Sequence, residues 1–346
     1  MESKLKVLFL SKYSSKGASS RYRFFNYEKW FKENGIDPHY KPLLGDHYIH
    51  YLYEKKRIIK NILGVLSILK RMFYLLFSGN KFDHIVVQAE LFPKLPLWID
   101  VFFLKKMKSF SLDFDDNIAA NYSGSYLQNK IPALMKMANF VTVGNNWYKT
   151  EFEGNLIYLP TVVDMDNYPL HQVVMDKEKT IVWIGSPSTV KYLKIIEEQL
   201  VKLSELHDFT LKVIGAKIKL DSKIKTSFIP WTAETENREL ANATIGIMPL
   251  ENTYWEKGKC GFKLIQYMAS GIPVVASDLP ANQEIVVEGE NGFIAVNHDD
   301  WFKFLDLLLS DVKLQAQQGA NARKRIEEHY SYQIWGKTYS EIIKNV

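Results

Sequence analysis

Gly258-Lys259-Cys260-Gly261-Phe262-Lys263-Leu264-Ile265-Gln266-Tyr267-Met268-Ala269-Ser270-Gly271-Ile272-Pro273-Val274-Val275-Ala276-Ser277 reads as a turn, a helix, a stop and a buried strand. A glycine-containing turn opens the helix, and Gly271 ends it before the apolar run that follows. A helix start exposes backbone N–H groups and the positive end of the helix dipole, and Lys259 and Lys263 add charge at the same point. Together they favour a phosphate or diphosphate. On spacing alone, Lys263 as an ordinary solvated helix residue stays open.

Working outward, the same strand-to-helix alternation fills the second half. Strands are expected at 180–184, 209–214, 226–229, 244–248 and 273–276, and helices at 189–206, 235–242, 262–269 and 299–310. The first half repeats the scheme. Lys4 to Leu10 reads as a buried strand, Ser11 to Ser20 as a loop of small residues, and Arg21 to Asn34 as a helix with aromatics at helical spacing. Further strands are expected at 83–88, 109–114, 140–143 and 155–159, with a helix from Leu97 to Met107. Such alternation predicts α/β units with parallel sheets covered on both faces. A polar stretch with Pro169 places a linker near residues 165–178. Two doubly wound domains are therefore expected, with ligands at the carboxyl ends of their strands.

Composition narrows the class. The chain has 346 residues, 47% of them hydrophobic, which suits ordinary globular cores in two domains. The one cysteine, Cys260, can form neither an intramolecular disulfide nor a multi-cysteine zinc site, as expected for a reducing compartment. The apolar run near the N-terminus is too short for a signal peptide or a membrane span. None of the eight histidines has metal-cluster spacing. No nucleophile elbow, Walker loop or RNA-binding motif is present, and no nucleic-acid partner is expected.

The segment from Gly258 to Ser277 resembles the C-terminal donor-binding motif of the retaining GT-B glycosyltransferases of family 4. Gly185-Ser186-Pro187-Ser188-Thr189, Ile247-Met248-Pro249-Leu250, Glu284-Ile285-Val286 and Asn291-Gly292-Phe293 extend the resemblance through the second half. Gln88 to Pro93, Asp113-Phe114-Asp115-Asp116 and Leu159 to Asp164 look like the matching landmarks of the first. The resemblance implies GT-B architecture, with two Rossmann-like domains facing a central cleft. Residues 1–165 would hold the acceptor, residues 166–325 the nucleotide sugar, and a helix in 326–346, from about Tyr332 to Lys344, would cross back onto the first domain.

The implied activity is transfer of a sugar, with retention of configuration, from a nucleotide diphosphate sugar to a hydroxyl of a saccharide or lipid-linked acceptor in cell-envelope polysaccharide or glycan synthesis. No cofactor beyond that co-substrate is expected. The donor side would comprise Gly17, Gly185, Ser186, Ser188, Thr189, Lys191, Lys259, Lys263, Leu264 and Gln266. Ser20 and Arg21 would lie on the acceptor side, and Asp115 or Asp116 would orient the acceptor hydroxyl or stabilise the oxocarbenium-like sugar. An N-cap at Asp116, a loop carboxylate at Asp115 and an N-cap at Ser188 are the plainer alternatives.

The chain departs from the family pattern where two glutamates often stand eight positions apart, because Gly258 and Gln266 occupy those places. Ser186 stands where many relatives have an arginine. These departures leave open a non-catalytic nucleotide-sugar-binding partner, and the fold leaves open a sugar-nucleotide epimerase. Asp113 and Asp115 form an Asp-x-Asp, but GT-B enzymes use helix dipoles and basic side chains in place of a metal, so none is expected.

Charge is unevenly spread. Residues 1–110 hold 20 Lys+Arg against 9 Asp+Glu, whereas residues 171–346 hold 21 against 23. Within the basic third, residues 54–77 read as an amphipathic helix. Lys55, Lys56, Lys60, Lys70 and Arg71 fall in one arc of roughly 160°, opposite Ile58, Ile62, Val65, Leu69, Met72, Phe73 and Leu76. Two placements follow: the apolar stripe packs on the first domain's sheet, or it lies on an anionic membrane surface. The expected location is cytoplasmic, with peripheral attachment to the inner face of the cell membrane under the second.

Overall fold

The computed structural model describes residues 4–53, 57–168 and 178–345. The chain divides into two compact units, Met1–Thr161 with Gln333–Val346, and Val162–Tyr332. The division thus falls at 161/162 and 332/333, a few residues away from 165/166 and 325/326. The reason is local: Val163 is fully buried, its N–H bonds to Tyr330 O (3.1 Å), and Tyr332 N bonds back to Val163 O (3.0 Å). Residues 169–177 of the expected linker lie outside the described residues.

The first unit is built on β1 (Leu5–Leu10), β2 (Ile36–Tyr40), β3 (His84–Gln88), β4 (Phe110–Phe114), β5 (Val141–Val143) and β6 (Leu156–Tyr158). All pair in parallel in the order β2-β1-β3-β4-β5-β6, so the winding reverses between β1 and β3. Its helices are α1 (Ala18–Arg23), α2 (Glu28–Glu33), α3 (Asp46–Tyr53), α4 (Arg57–Ser78), α5 (Leu97–Leu104), α6 (Lys130–Met137) and α7 (Trp147–Glu151). Strand β2 contains Pro38, which a parallel sheet admits because β2 is an edge strand. The single helix expected over Arg21–Asn34 is broken instead. Phe24 leaves helical geometry (φ −130°) and buries its ring 5.3 Å from Phe9, and a 3-10 turn over Phe25–Tyr27 separates α1 from α2.

The second unit contains β7 (Lys179–Ile184), β8 (Phe209–Ile214), β9 (Thr226–Ile229), β10 (Ile245–Met248), β11 (Val274–Ser277) and β12 (Gly292–Ala295), in the order β12-β11-β10-β7-β8-β9. Its helices are α8 (Glu197–Ser204), α9 (Glu236–Ala241), α10 (Tyr254–Lys257), α11 (Phe262–Ala269), α12 (Pro280–Ile285), α13 (His298–Ser310) and α14 (Val312–His329). The helix expected over 189–206 is 3-10 over Val190–Ile196 before it becomes α8. Helix α14 packs closely on the end of α11, since a Cβ on Gly319 would sit 2.3 Å from Gly271 O.

The last helix, α15 (Tyr332–Lys344), closes the first unit. Gly336 lets its backbone approach Trp30, where a Cβ would meet the indole at 2.1 Å. Tyr339 meets Tyr27 and Phe31 edge-on at 5.1 and 5.3 Å, and Lys344 Nζ donates to Asn34 O at 2.9 Å.

Helix α4 leaves most of its apolar stripe off the sheet, with Met72 alone of that stripe packed against the core of the first unit. Ile58, Leu69 and Phe73 are 77%, 55% and 67% exposed, and Ile62, Val65, Leu66, Leu76 and Phe77 are exposed with them. The inward face carries Ile68, Arg71, Met72 and Leu75, and Gly64 lies beside Tyr48. Over Ile58–Lys81 the segment is long and apolar enough to cross a membrane, and 17% of its most apolar window is buried. Trp98 and Phe102 of α5 are also exposed. Lys55 and Lys56 lie outside the described residues, Lys70 is exposed, and Arg71 is buried. The arc of cations expected on one solvent face is therefore divided.

Candidate active site

In the second unit, the expected donor residues gather at the carboxyl end of the sheet, on the turns after β7 and β10. Gly185 follows β7, and only glycine fits there, because a Cβ would meet the Trp183 ring at 2.6 Å. Gly215 after β8 (φ +87°) presses on the same turn, 2.5 Å from Gly185 O by the same test. Ser186 Oγ bonds Ser188 Oγ (2.7 Å), and Thr189 Oγ1 donates to Ser186 O (3.2 Å). These hydroxyls knit the turn to itself. Ser188 is not the N-cap: Thr189 holds that position and caps nothing with its side chain. Lys191 is exposed, its ammonium 4.9 Å from the Tyr192 ring.

After β10, Gly261 adopts φ +66° and begins α11, and a Cβ there would strike Ile285 Cδ1 at 2.3 Å. That left-handed turn requires glycine. Two residues on, the Lys263 ammonium lies 4.3 Å from the centre of the Trp183 ring, and Trp183 is fully buried. Desolvation, with repulsion from Lys259, pushes Lys263 down to about 7. Among the described residues it has no carboxylate partner. A cation held this way gains from a ligand's negative charge. Lys259 lies 5.5 Å from the Trp255 ring. Leu264 is different: its side chain is in the core and its N–H bonds Gly261 O at 2.9 Å, so neither reaches a ligand as placed.

Gln266 is buried on α11 and donates through Nε2 to Glu236 Oε1 (2.6 Å). The second Glu236 oxygen accepts from the half-exposed Trp231 indole. A carboxylate thus stands beside Gln266, supplied by α9. Glu256 of α10 is buried and accepts from Tyr192 and Thr253. Glu236 lies 30 residues from its partner Gln266 and outside any local motif, so spacing along the chain gives no signal for it.

In the first unit, Gly17 opens α1 where a Cβ would meet Tyr13 Cβ at 2.5 Å. Ser20 is fully buried, and its hydroxyl is engaged by Gln88 Oε1 (2.7 Å) and Tyr13 N (3.0 Å). It shapes the β1 loop rather than facing a ligand. Arg21 is half-buried with its guanidinium 4.9 Å from the Tyr22 ring. Asp115 and Asp116 are half-buried directly after β4, at the carboxyl end of the first sheet. Asp113 is unavailable for an Asp-x-Asp metal pair. It is fully buried, accepts from Thr142 Oγ1 (2.6 Å), and is paired with the buried Arg23, whose Nε lies 3.0 Å from Oδ2. Arg23 also donates to Leu159 O at 2.6 Å. Burial alone would lower the Arg23 pKa, but the charge and hydrogen bond of Asp113, together with Tyr27 and Tyr339, raise it above the ordinary range.

A second buried charge cluster lies nearby. Lys130 Nζ contacts Glu90 Oε2 (2.7 Å) and Asp100 Oδ2 (3.0 Å), and Tyr122 donates to Glu90 Oε1 (2.6 Å). Burial, opposed by Lys130, pushes Asp100 up to about 6. Among the described residues no group of three or more His, Cys, Asp or Glu is arranged to hold a metal ion.

This arrangement can be set beside known proteins. Residues 178–311 match the family model of the glycosyl transferases, group 1. The match contains Gly185, Lys263 and Gln266. Across the whole chain, solved structures share the fold. Anabaena HepE in complex with UDP-glucose is 14% identical, covers 99% of this chain and 100% of its own, and gives a TM-score of 0.73. A glycosyltransferase from Rickettsia africae is 15% identical, with coverage of 99% and 98% and a TM-score of 0.71. WaaG, a glycosyltransferase involved in lipopolysaccharide biosynthesis, is 14% identical, with coverage of 99% and 100% and a TM-score of 0.65. No curated protein sequence matches the chain. The two parallel six-stranded, Rossmann-like units are those of the GT-B architecture.

Proposed function

We propose that the protein is a retaining, metal-independent glycosyltransferase that moves a hexosyl group from a nucleotide diphosphate sugar to a hydroxyl of a saccharide or lipid-linked acceptor, in cell-envelope polysaccharide or glycan synthesis. The observation that carries this reading is Lys263, desolvated against Trp183 at the start of α11 inside the group 1 glycosyl transferase match. The similarity to WaaG, a lipopolysaccharide enzyme, supports the envelope assignment, and the HepE complex supports a uridine diphosphate donor.

In this reading the diphosphate leaves against Lys263, Lys259 and the first turn of α11, so the chain's main contribution is fixed positive charge where negative charge develops. Glu236 and Gln266 hold the donor's ribose hydroxyls, with hydrogen-bond capacity to both donate and accept. Asp115 and Asp116 orient the acceptor hydroxyl from the first unit. Gly17, Ser186, Ser188, Thr189 and Lys191 shape the approach to the phosphates, and Arg21 acts on the acceptor side.

The test is turnover of UDP-glucose, and then of other nucleotide sugars, read as released nucleoside diphosphate with product configuration followed by NMR. Retained configuration in a transferred sugar is expected. An epimerised nucleotide sugar without transfer, or tight binding without any turnover, would replace this reading with an epimerase or a non-catalytic binder.

The outward apolar face of α4 favours a second element, peripheral attachment to the inner face of the cell membrane, with the remaining chain cytoplasmic. Phe73, Leu69 and Ile58 would enter the lipid and Lys70 would meet the headgroups. Flotation with vesicles of phosphatidylcholine and phosphatidylglycerol should recover the wild type and lose the Leu69→Asp/Phe73→Asp double variant. Equal recovery of both would remove the membrane from the proposal.

A further inference from the structure

We infer that the first unit has an oxyanion-binding crevice of its own, built by Arg71 and Lys12 where the winding of its sheet reverses, and that it takes a phosphate or carboxylate carried by the acceptor. The crevice belongs to the structure whatever the reaction; only its assignment to an acceptor rests on the function proposed above.

Arg71 projects inward from α4 and is 6% exposed. Its guanidinium donates to Ser11 O (2.7 Å), Lys41 O (2.9 Å) and Leu91 O (3.4 Å), which are carbonyls from the segments following β1, β2 and β3. Among the described residues it has no carboxylate partner. A guanidinium has more N–H donors than those three carbonyls use, and carbonyls leave its full positive charge uncompensated. Burial pushes Arg71 down to about 9, because its charged form is taken out of water without a counter-charge.

The side chain lines a crevice together with Lys12, Gln88, Ala89 and Glu90, whose wall is completed by the apolar Leu43, Pro93 and Ile118, with about 20 Å³ open to a water-sized atom. That is room for one ligand oxygen to enter while the rest of the group stays outside. The only carboxylate on its wall, among the described residues, is Glu90, already held by Lys130 and Tyr122. Gln88 is fixed by Ser20 and by Lys12 N (2.9 Å). Ala89 is held at φ +61°, a conformation a non-glycine residue adopts at a cost and one that concentrates at ligand sites. The crevice lies between the carboxyl ends of β1 and β3, the switch point where open α/β sheets bind ligands.

Calorimetric titration with sn-glycerol 3-phosphate and, separately, D-glucuronate tests the site, with glycerol and glucose as neutral controls and UDP at saturation to fill the donor side. Binding of an anionic probe and not of its neutral control is expected. The tighter of the two probes identifies the oxyanion. Lys12→Gln and Arg71→Lys should each weaken binding about tenfold, since a lysine cannot reproduce the planar fork of the arginine. Circular dichroism checks that Arg71→Lys is folded, and Lys12→Gln, which removes no buried group, keeps the test decisive if it is not. No binding by the wild type, loss of binding on adding UDP, or unchanged affinity in folded Lys12→Gln would overturn the inference. Turnover is not read, so a chain without transferase activity that still bound the probe would fail the functional proposal and leave the crevice standing.

Discussion

The two units take charged side chains out of water in different company. In the first, Arg23 meets Asp113, and Lys130 meets both Glu90 and Asp100, so the buried cations are neutralised inside the protein. In the second, the buried carboxylates Glu236 and Glu256 are satisfied by an amide, an indole and hydroxyls, while Lys263 rests on an aromatic face. Charge that is paired internally has little left to offer a ligand. Charge desolvated without a counter-ion is held in readiness for one, at a cost to stability. By that criterion Arg71 resembles Lys263 more than it resembles Arg23, although it belongs to the first unit.

The largest effect should come from breaking a neutralised pair. Arg23→Met leaves Asp113 buried with Thr142 as its remaining partner and should destabilise the first unit by about 3–5 kcal/mol. Adding Asp113→Leu should recover most of that loss in urea unfolding. If the double variant is no more stable than the single one, Arg23 acts through Leu159 O and not through its charge. Next, Lys263→Ala should leave the fold intact and lower donor turnover by about 10²–10³, the usual loss when an electrostatic stabiliser of a transition state is removed. A stability loss as large as that of Arg23→Met, with turnover unchanged in the folded fraction, would erase the distinction between the units.

Asp100 offers a smaller test. Its folded pKa, about 6, lies above its ordinary value, so the stability linked to its proton is fully present below that ordinary value and lost as pH rises through 6. Relative to Asp100→Asn, the wild type should therefore lose on the order of 1–3 kcal/mol between pH 4 and pH 7, read from paired denaturation curves. The smallest effect concerns Lys263, whose pKa lies below its ordinary value at about 7. Above pH 7 the free protein holds it neutral, so UDP binding should draw in a proton and weaken by up to tenfold per pH unit. Calorimetry in buffers of different ionisation enthalpy measures that uptake, and Lys263→Arg should abolish it.

Much of this was legible along the chain. Strands such as 209–214 and 226–229, and the helix 262–269, carry their boundaries in apolar runs and in Gly261 and Gly271, which are local signals. Lys263 was legible for the same reason, since a helix start is written in adjacent residues. Strand β2 was not read, because Ile36–Tyr40 contains Pro38, and only an edge position makes that tolerable. Ser20 and Leu264 passed as ligand-facing because spacing places a residue at a turn but does not say whether its hydroxyl or N–H is already engaged. Glu236 could not be found, since its relation to Gln266 is made by folding.

The sequence alone determined the alternation of strands and helices, the glycine turns and the helix start that holds Lys263, because each depends on residues within a few positions of one another. The tertiary structure decided which charges are neutralised. It paired Arg23 with Asp113 across 90 residues and brought Ser11, Lys41 and Leu91 around Arg71. It also turned α4 over. A helical wheel shows that a basic arc and an apolar stripe lie on opposite sides, but which side faces the protein is set by the carbonyls that Arg71 finds at the ends of three strands. Those carbonyls are neighbours only once the sheet has formed.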